Sequence, residues 1–410
     1  MLARGILLAV ILGTALLTIN INVFRLTRNA LKFSNEPLQH QNVWKLEGIH
    51  SLSKSETKKP SKTILAYTTI YNNTFNIQNY IRTEQERRLF PDPLLNCEYP
   101  CSWSTDLRDY NRSDAVLFHV YNTRVKQDFV ITDLPSRRSA DQKWIIMFRE
   151  PPSFFYPEQL KELNNKFNIS MTYQRTSDVV IPYGRCWRSK GFNPQHQKQN
   201  YITGRNRMVS WLVSNCRTSS RREEYVRKLQ KHISIDIYGA CSNNTDPNNG
   251  NKFIIKYAAK YKFYLAFENS DCFDYVTEKF WNSLQLGMIP VVRGNRAAYE
   301  KLAPPNSYIH AGLFPSPQRL ASYLIKVAAD RKLFYSYHKW RASYEFDATL
   351  FTANRKWMCD LCERVHISPR KTLDVYEHFS EVVKCFTYLD HKGRNRTGEN
   401  TEDLYHAKVA

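Results

Sequence analysis

Residues 263–294 read FYLAFENSDCFDYVTEKFWNSLQLGMIPVVRG. The segment opens with an apolar run at 263–267 and closes with a second one at 289–292. Between them, Val276, Phe280 and Leu284 recur at i, i+4 and i+8, the spacing of one helix face. Near-continuous apolar runs are typical of strands buried on both faces of a parallel sheet. The segment therefore predicts a strand, a helix and a second strand.

Similar apolar runs lie on both sides of this segment. Those in the first half are 64–67, 115–118, 144–148 and 179–181. Those in the second half are 208–213, 233–237, 263–267 and 289–292. A helix is indicated after the first of these by Tyr225, Val226 and Leu229 on one face. Two successive β/α series predict two doubly wound α/β domains, with the polar stretch 188–206 as the hinge.

The composition is that of a globular, strongly basic protein. The 410 residues are 42% hydrophobic, which excludes collagen, low-complexity disorder and a disulfide miniprotein. Lys and Arg number 59 against 38 Asp and Glu, a net charge of +21 that favours an anionic partner. No block of five consecutive basic residues, zinc-finger spacing or RNA-binding aromatic motif occurs, so we expect no nucleic-acid partner.

The N-terminal region has the character of a membrane anchor. Residues 5–24 read GILLAVILGTALLTININVF and just span a bilayer at about 1.5 Å per residue. A cleaved signal peptide is the alternative, but the apolar run is longer than a usual signal core and basic residues follow it. Basic residues on both sides leave the orientation open. The polar residues 25–62 are expected to form a stem.

The cysteines and glycosylation sequons indicate a secretory protein. Cys97 and Cys101 lie near the start of the main body, and Cys359 and Cys362 near its end. A four-cysteine zinc site is the alternative, but we expect two disulfides joining the early pair to the late pair. The next candidate pair is Cys216 with Cys241.

Three cysteines remain after these assignments, namely Cys186, Cys272 and Cys385. Because nine is an odd number, at least one thiol is free or intermolecular. The candidate N-glycosylation sites are Asn72, Asn111, Asn168, Asn243 and Asn395.

Three loops are expected to line one cleft. Ligands bind beyond the carboxyl ends of parallel strands, which selects the loops at 149–152, 214–215 and 268–270. If the two domains face each other, the three loops meet.

The motifs in these loops resemble those of the α1,3-fucosyltransferases, glycosyltransferase family 10. FENS at 267–270 and YVTEK at 275–279, followed by a helix and PVVRG, carry the resemblance. FREPP at 148–152 is similar to an R-E-S-P element with Pro151 in place of Ser, and VSN at 213–215 precedes an arginine as in the family. The C-x-x-C at 359–362 resembles the terminal element, so the resemblance covers about residues 63–365.

The resemblance implies a GT-B architecture, two facing Rossmann-like domains behind a transmembrane helix and stem. It also implies a single-pass type II protein of the Golgi membrane, with a lumenal catalytic body. The expected segments are a cytosolic tail (1–4), signal-anchor (5–24), stem (25–62), acceptor-side domain (63–200), GDP-fucose-binding domain (201–365) and C-terminal tail (366–410).

The resemblance also implies roles for individual residues. Glu150 is expected to be the general base that deprotonates the acceptor hydroxyl. Lys279 and Arg221, with Arg222 as the alternative to Arg221, are expected to neutralise the departing diphosphate. The remaining candidate donor-binding residues are Glu278, Tyr275, Glu268 and Asn269.

The expected activity is inverting transfer of L-fucose from GDP-fucose to the 3-hydroxyl of N-acetylglucosamine in glycoprotein glycans. The resemblance to invertebrate and plant enzymes favours the N-glycan core as acceptor. A peripheral, Lewis-type lactosamine acceptor is the first alternative, and a catalytically silent glycan-binding Golgi protein is the second. No D-x-D motif occurs, so we expect no required metal or other cofactor, with stimulation by divalent cations left open.

Overall fold

We describe a computed structural model of the chain. It describes residues 59–68, 97–120, 134–155, 157–194, 199–242, 258–348, 356–369, 371–381 and 385–386. The predicted anchor at 5–24 lies outside these residues. Within them, no helix has the length and apolar character that a membrane crossing requires.

The first half of the chain forms a six-stranded sheet. Its strands are β1 (Lys62–Ala66), β2 (Cys101–Ser104), β3 (Ala115–Val120), β4 (Lys143–Phe148), β5 (Ile169–Thr172) and β6 (Val179–Val180). They lie in the order β2-β1-β3-β4-β5-β6, and every neighbouring pair is parallel. Alternate residues face opposite sides, so that Ile145 and Met147 join one core cluster while Ile146 and Phe148 join another.

The second half forms a five-stranded sheet. Its strands are β8 (Arg207–Leu212), β9 (Ile235–Tyr238), β10 (Tyr261–Leu265), β12 (Ile289–Val292) and β13 (Ile309–His310), after a short β7 (Arg185–Arg188) that lies outside it. They lie in the order β13-β12-β10-β8-β9, again with parallel neighbours only. All apolar runs predicted as strands are strands, with ends within two residues, which confirms the α/β fold with parallel sheets.

Helices cover both faces of the second sheet. The helices of the described chain are α1 (Pro157–Lys161), α2 (Arg222–Leu229), α3 (Glu278–Gln285), α4 (Arg296–Leu302), α5 (Pro317–Ala329), α6 (Arg331–Ser336) and α7 (Lys356–Ile367), of which α1 and α7 pack against the first sheet. Helices α2 and α5 pack on one face of the second sheet, through Val226 and Leu320, and α3 and α4 on the other, through Phe280 and Ala298. Shorter segments are the 3₁₀ helices Leu107–Arg112, Pro152–Phe154, Ala311–Leu313 and Lys339–Ala342 and the π-helical turn Glu377–Glu381.

The chain returns to the first sheet near its C-terminal end. Helix α7 packs against that sheet through Trp357, Leu361 and Val365, and Phe379 stacks on Phe148 on the opposite face. The boundary predicted at residue 365 is therefore not where the chain changes sheets. The apolar face of α7 is buried in the core of the first sheet. The sequence alone does not show which of the two sheets this face packs against.

Two small antiparallel ladders complete the fold. Strand β14 (Tyr344–Asp347) pairs with β7, and β15 (Cys385–Phe386) pairs with β11 (Asp271–Cys272). Strand β7 ends at Arg188, the first residue of the predicted hinge.

Four disulfides join the described cysteines. Cys97–Cys359 and Cys101–Cys362 link the early pair to the late pair, and Cys216–Cys241 is also present, as predicted. The structure adds Cys272–Cys385 and leaves Cys186 as the free thiol. The cysteines therefore form disulfides rather than a four-cysteine zinc site.

Candidate active site

Glu150 is the second residue after the buried strand β4, which ends at Phe148. The Tyr275 hydroxyl donates to its Oε2 at 3.4 Å, although Tyr275 belongs to the segment before α3 of the second sheet. Burial raises the pKa of Glu150, and Lys279 opposes that rise. A carboxylate with a raised pKa is a stronger base, so this side chain is suited to accept a proton.

A row of aromatic side chains supports Glu150 and its neighbour Arg149. The Tyr183 hydroxyl donates to the Arg149 carbonyl oxygen at 2.6 Å. The Arg149 guanidinium lies 4.3 Å from the centre of the Tyr183 ring. Tyr173, Tyr183 and Tyr275 contact one another, with ring centres between 5.0 and 6.3 Å apart. Both the backbone and the carboxylate at the end of β4 are thus held by tyrosine hydroxyls.

Lys279, on the first turn of α3, lies among three acceptors. Its Nζ is 2.9 Å from Thr277 Oγ1, 3.0 Å from Glu278 Oε1 and 3.2 Å from Glu268 Oε2. Burial alone would lower the pKa of Lys279, but Glu268 and Glu278 outweigh it and raise the pKa. Lys279 is therefore a fixed, protonated cation at the start of a helix.

Glu268 connects the end of β10 to that helix start. It is 2% exposed, and its two carboxylate oxygens accept from Thr277 N and Thr277 Oγ1, each at 2.8 Å. Burial raises the pKa of Glu268 and Lys279 opposes the rise. These contacts make Glu268 a support for α3 and Lys279, and its direct role in donor binding stays a prediction.

Serine hydroxyls join the three loops that the sequence selected. Ser220 Oγ donates to the Glu268 carbonyl oxygen at 2.8 Å, and Ser219 Oγ to that of Asn269 at 3.2 Å. Ser270 Oγ is 2.9 Å from Ser219 Oγ and 2.6 Å from Ser153 Oγ. The loops after β4, β8 and β10 are therefore in direct contact, as expected for parallel strands that end at a shared cleft.

The two adjacent arginines at the start of α2 have different environments. Arg222 is 3% exposed, and its guanidinium donates to the carbonyl oxygens of Phe267 at 2.6 Å and Asn215 at 3.1 Å. Arg221 precedes the helix with a positive φ of 50°, and its side chain is 40% exposed beside Glu224. Arg222 is thus used within the fold, whereas Arg221 presents its charge at the surface.

Comparison with known protein families agrees with this site. The profile described as glycosyltransferase family 10 (fucosyltransferase), C-terminal, matches residues 202–382, and that described as fucosyltransferase, N-terminal, matches residues 59–184. The 3-galactosyl-N-acetylglucosaminide 4-alpha-L-fucosyltransferase FUT3 of Bos taurus is 35% identical over 277 residues, which are 66% of this chain and 71% of the relative. The chain belongs to glycosyltransferase family 10. It is a fucosyltransferase and therefore a glycosyltransferase.

A second relative and a solved structure are also similar to this fucosyltransferase. The glycoprotein 3-alpha-L-fucosyltransferase A of Drosophila melanogaster is 37% identical over 246 residues, which are 59% of this chain and 47% of the relative. A solved structure of an alpha1,3-fucosyltransferase with GDP-fucose matches with a TM-score of 0.45 and 13% identity, covering 79% of this chain and 95% of the other.

The positions of two other candidate residues can be compared with their predicted roles. Tyr275 is 4% exposed and its hydroxyl donates to Glu150, and its role in donor binding stays a prediction. Asn269 is 9% exposed, and within the described part of the chain its Oδ1 has no hydrogen-bond partner. A buried amide oxygen without a partner is unusual, so Asn269 remains a candidate ligand of the donor.

Glu278 has the position expected of a group that meets a ligand. Its side chain is 50% exposed beside Lys279. Partial removal of the carboxylate from water acts to raise the pKa of Glu278. The charge of Lys279 and its hydrogen bond to Glu278 outweigh this effect, so the pKa is lowered. The carboxylate is thus ionised at neutral pH and able to accept hydrogen bonds from sugar hydroxyls.

The predicted glycosylation sites differ in accessibility. Asn111 is exposed, whereas Asn168 is 5% exposed and its Nδ2 donates to the Lys371 carbonyl oxygen at 3.1 Å. A glycan on that nitrogen would break this contact, so the prediction for Asn168 is wrong for the folded chain. Asn72, Asn243 and Asn395 lie outside the described residues.

Several site residues were not predicted from the sequence. Thr277 orients Glu268, Ser270 joins three loops, and Tyr183 supports Arg149. Thr277 had a signal, because threonine directly before a helix is a common capping residue.

Among the described residues, no group of three or more His, Cys, Asp or Glu side chains could hold a metal ion, and the absence of a metal requirement stays a prediction.

Proposed function

We propose that this fucosyltransferase moves L-fucose from GDP-fucose to the 3-hydroxyl of N-acetylglucosamine in glycoprotein glycans, with inversion at the fucose anomeric carbon. The observation that carries the proposal is the placement of Glu150 and Lys279. Glu150 follows strand β4 of the first sheet, and Lys279 lies in the first turn of α3, which packs on the second sheet. The charge of Lys279 lowers the pKa of Glu150. An inverting transfer needs these two charges on opposite sides of the sugar.

The reaction follows from these charges. Glu150 takes the proton of the acceptor hydroxyl while its oxygen attacks the anomeric carbon of fucose. The bond from that carbon to the β-phosphate oxygen breaks, and GDP leaves with the bonding electrons. In this proposal Lys279 and Arg221 stabilise the negative charge on the diphosphate, and Glu278 and Asn269 bind hydroxyls of the donor. The half-exposed carboxylate of Glu278 and the unpartnered Oδ1 of Asn269 among the described residues support these roles.

We propose the N-glycan core as the acceptor. The 37% identical Drosophila relative is named a glycoprotein fucosyltransferase, which supports this choice. The bovine relative is named for a galactosyl-N-acetylglucosaminide, which favours the peripheral alternative.

We also propose that the enzyme resides in the Golgi membrane as a single-pass type II protein with a lumenal body. The apolar residues 5–24 support an anchor. Disulfides such as Cys101–Cys362 support an oxidising compartment for the body.

An acceptor panel tests the proposed reaction. The full chain in detergent is incubated with GDP-fucose and either an N-glycan core glycopeptide or N-acetyllactosamine, and the product linkage is determined by NMR. We expect an α1,3-linked fucose on a core N-acetylglucosamine. Transfer to lactosamine alone would replace the core acceptor by the peripheral one, and GDP-fucose binding without transfer to either acceptor would contradict the enzymatic proposal.

A further inference from the structure

A cavity of about 440 Å³ lies along β13, the edge strand of the second sheet. Helix α4 forms one side of it, and α5 and the turn after α6 form the other. Pockets that bind small molecules have volumes of about 300–1,000 Å³. None of the residues that line this cavity belongs to the three cleft loops at 149–152, 214–215 and 268–270. We call it the β13 pocket, and its lining is distinct from the site of Glu150 and Lys279.

Aromatic side chains line both sides of the β13 pocket. Tyr299 of α4 contacts Tyr308, with ring centres 5.5 Å apart. Phe314 contacts Tyr323 of α5, with ring centres 5.1 Å apart. The hydroxyls of Tyr323 and Tyr337 are 2.7 Å apart. Because a tyrosine offers an apolar ring and a polar tip, the pocket suits a ligand that has apolar faces and also forms hydrogen bonds.

The two charged side chains of the β13 pocket balance each other. Arg296 Nε is 2.6 Å from Glu300 Oε1, and the two side chains are 50% and 53% exposed. Burial lowers the pKa of His310 to about 4 and raises the pKa of Tyr308 to about 12, so both side chains are neutral at pH 7. The balanced ion pair gives an anionic nucleotide or lipid headgroup no net attraction. Its N–H groups and carboxylate oxygens can still hydrogen-bond the hydroxyls of a neutral ligand.

We propose that the β13 pocket binds a neutral sugar residue of the acceptor glycan, apart from the N-acetylglucosamine that receives fucose. The inference rests on the proposed function, because the glycan acceptor is taken from there. A sugar ring has hydroxyls around its edge and C–H groups on its faces. These groups match the hydroxyls and the ring faces of the tyrosines.

Tyr299 places the β13 pocket next to the donor side of the cleft. The residue is 2% exposed, and it also lines a smaller cavity together with Glu268, Asp271 and Gly294. Burial raises the pKa of the Tyr299 phenol, and Glu268 and Asp271 add to that rise. One aromatic ring thus separates the two cavities.

The distance between the two places suits a glycan of several sugar residues. Strand β13 lies two strands from β10, which leads into the FENS loop, and this is about 10 Å at the usual spacing of strands. A glycan held at both places gains affinity, because binding of the second sugar is intramolecular once the first is bound. The β13 pocket would therefore favour extended glycan acceptors over single sugars.

The central test removes the exposed ion pair of the pocket. The full chain in detergent, saturated with GDP, is titrated by calorimetry with a glycopeptide that carries the N-glycan core and its mannose branches. For the double variant Arg296→Ala/Glu300→Ala we expect the Kd for the glycopeptide to rise about five- to ten-fold, as for lost hydrogen bonds to charged groups. The Kd for GDP should stay within about two-fold of wild type. Both side chains are half-exposed, so the fold should tolerate the change.

A matched control removes another exposed ion pair. Lys59→Ala/Glu98→Ala also keeps the net charge, and the two side chains are 39% and 78% exposed. We expect this variant to bind the glycopeptide as wild type does. Equal glycopeptide Kd values for the two double variants would overturn the proposal. A higher Kd for GDP with an unchanged Kd for the glycopeptide would also overturn it, because the pocket would then belong to the donor.

Photolabelling locates the sugar without any substitution. The same glycopeptide, with a diazirine on a terminal mannose, is irradiated with the wild-type chain, and the labelled peptides are identified by mass spectrometry. We expect labels within residues 296–314 or 317–337, and an excess of unlabelled glycopeptide should suppress them. Labels confined to the cleft loops, or no labels, would contradict the proposal.

Transfer measured on the same samples separates this inference from the proposed reaction. If wild type transfers no fucose but Arg296→Ala/Glu300→Ala still weakens glycopeptide binding, the proposed function fails and the sugar site stands. If wild type transfers fucose and the two double variants bind the glycopeptide alike, the inference of the β13 pocket fails alone.

Discussion

The neighbours that orient the Lys279 side chain also keep its ammonium group protonated. Glu268 fixes it from the end of β10, and Glu278 and Thr277 flank it on the chain. Because the carboxylates raise its pKa, the ammonium stays protonated at neutral pH despite burial. An incoming diphosphate therefore meets a cation that needs little reorganisation, which is the condition for strong electrostatic stabilisation.

Replacing this cation should affect donor binding and turnover together. We expect Lys279→Ala to weaken GDP binding and to lower kcat about 10²- to 10³-fold, the range typical of a lost charge-stabilising group. Calorimetry with GDP and initial-rate kinetics measure the two effects. Lys301→Ala removes an exposed lysine at the end of α4 and should change neither.

The buried partner of Lys279 complicates that variant. Lys279→Ala leaves Glu268 buried without its cation, so the melting temperature should also fall. Lys279→Ala combined with Glu268→Gln should recover part of the stability without recovering GDP affinity. Normal GDP affinity in a folded Lys279→Ala protein would remove Lys279 from the donor site.

At the scale of elements, the turn from β12 to α4 depends on a glycine. Gly294 has a φ of +115°, and a Cβ built there would lie 2.6 Å from the Asp271 carboxylate. Other residues rarely adopt this backbone conformation, and the adjoining carboxylate leaves no room for a methyl group. The glycine that closes the PVVRG element is thus required both by the backbone and by β11.

Gly294→Ala should therefore destabilise the donor-side sheet. We expect a loss of about 1–3 kcal/mol in the free energy of unfolding, as for other strained backbone positions. Gly191→Ala is the matched control, since nothing lies within 4 Å of its built Cβ, and it should change stability by less than about 0.5 kcal/mol. Thermal and denaturant melts measure both, and equal melting of the two variants would contradict this account of the turn.

The sequence predicted the strands that carry a continuous apolar run and missed strands with polar residues, such as β2 and β5. The runs in β3, β4 and β10 are apolar throughout, so hydrophobicity alone identifies them. Strand β5 reads ISMT, and its two polar residues are buried because Ser170 bonds to Asp178 and Thr172 to Ser177. The hydrogen-bond partners of Ser170 and Thr172 lie outside the strand. The sequence of the strand alone therefore does not show that its polar residues can be buried.

The motif residues show the same division. The resemblance of the motifs to the family implied that Glu150, Lys279 and Arg221 form one site, and that assignment stays a prediction. Their individual contacts were not predicted, because they depend on which side chains meet across two sheets. The hydrogen bond from Tyr275 to Glu150 and the Cys272–Cys385 disulfide are such contacts between distant parts of the chain.

In the whole molecule, the two sheets are held together close to the cleft. Ser153 meets Ser270, and Arg175 forms an ion pair with Asp274 at 2.7 Å. Helix α7 returns to the first sheet, where disulfides such as Cys101–Cys362 fasten it to the N-terminal side of the body. The contacts of Ser153 with Ser270 and of Arg175 with Asp274 hold the segment that follows β4 and the segment before α3 together.

The role of Glu150 gives the activity a defined pH dependence. As a base, Glu150 must be ionised, and burial places its pKa above the ordinary value of 4.5. The value of kcat/KM should therefore rise with pH through the pKa of this group. The same rise should be absent from any residual activity of Glu150→Gln, which has no carboxyl group to titrate.

The most direct test of the opposed charges is the transfer rate of Glu150→Gln measured beside its affinity for GDP. We predict that kcat falls about 10²- to 10⁴-fold, the contribution typical of a general base, while GDP binds as tightly as to wild type. Transfer at the wild-type rate would show that Glu150 is not the base. Loss of GDP affinity in step with activity would show that Glu150 belongs to the donor site rather than facing it.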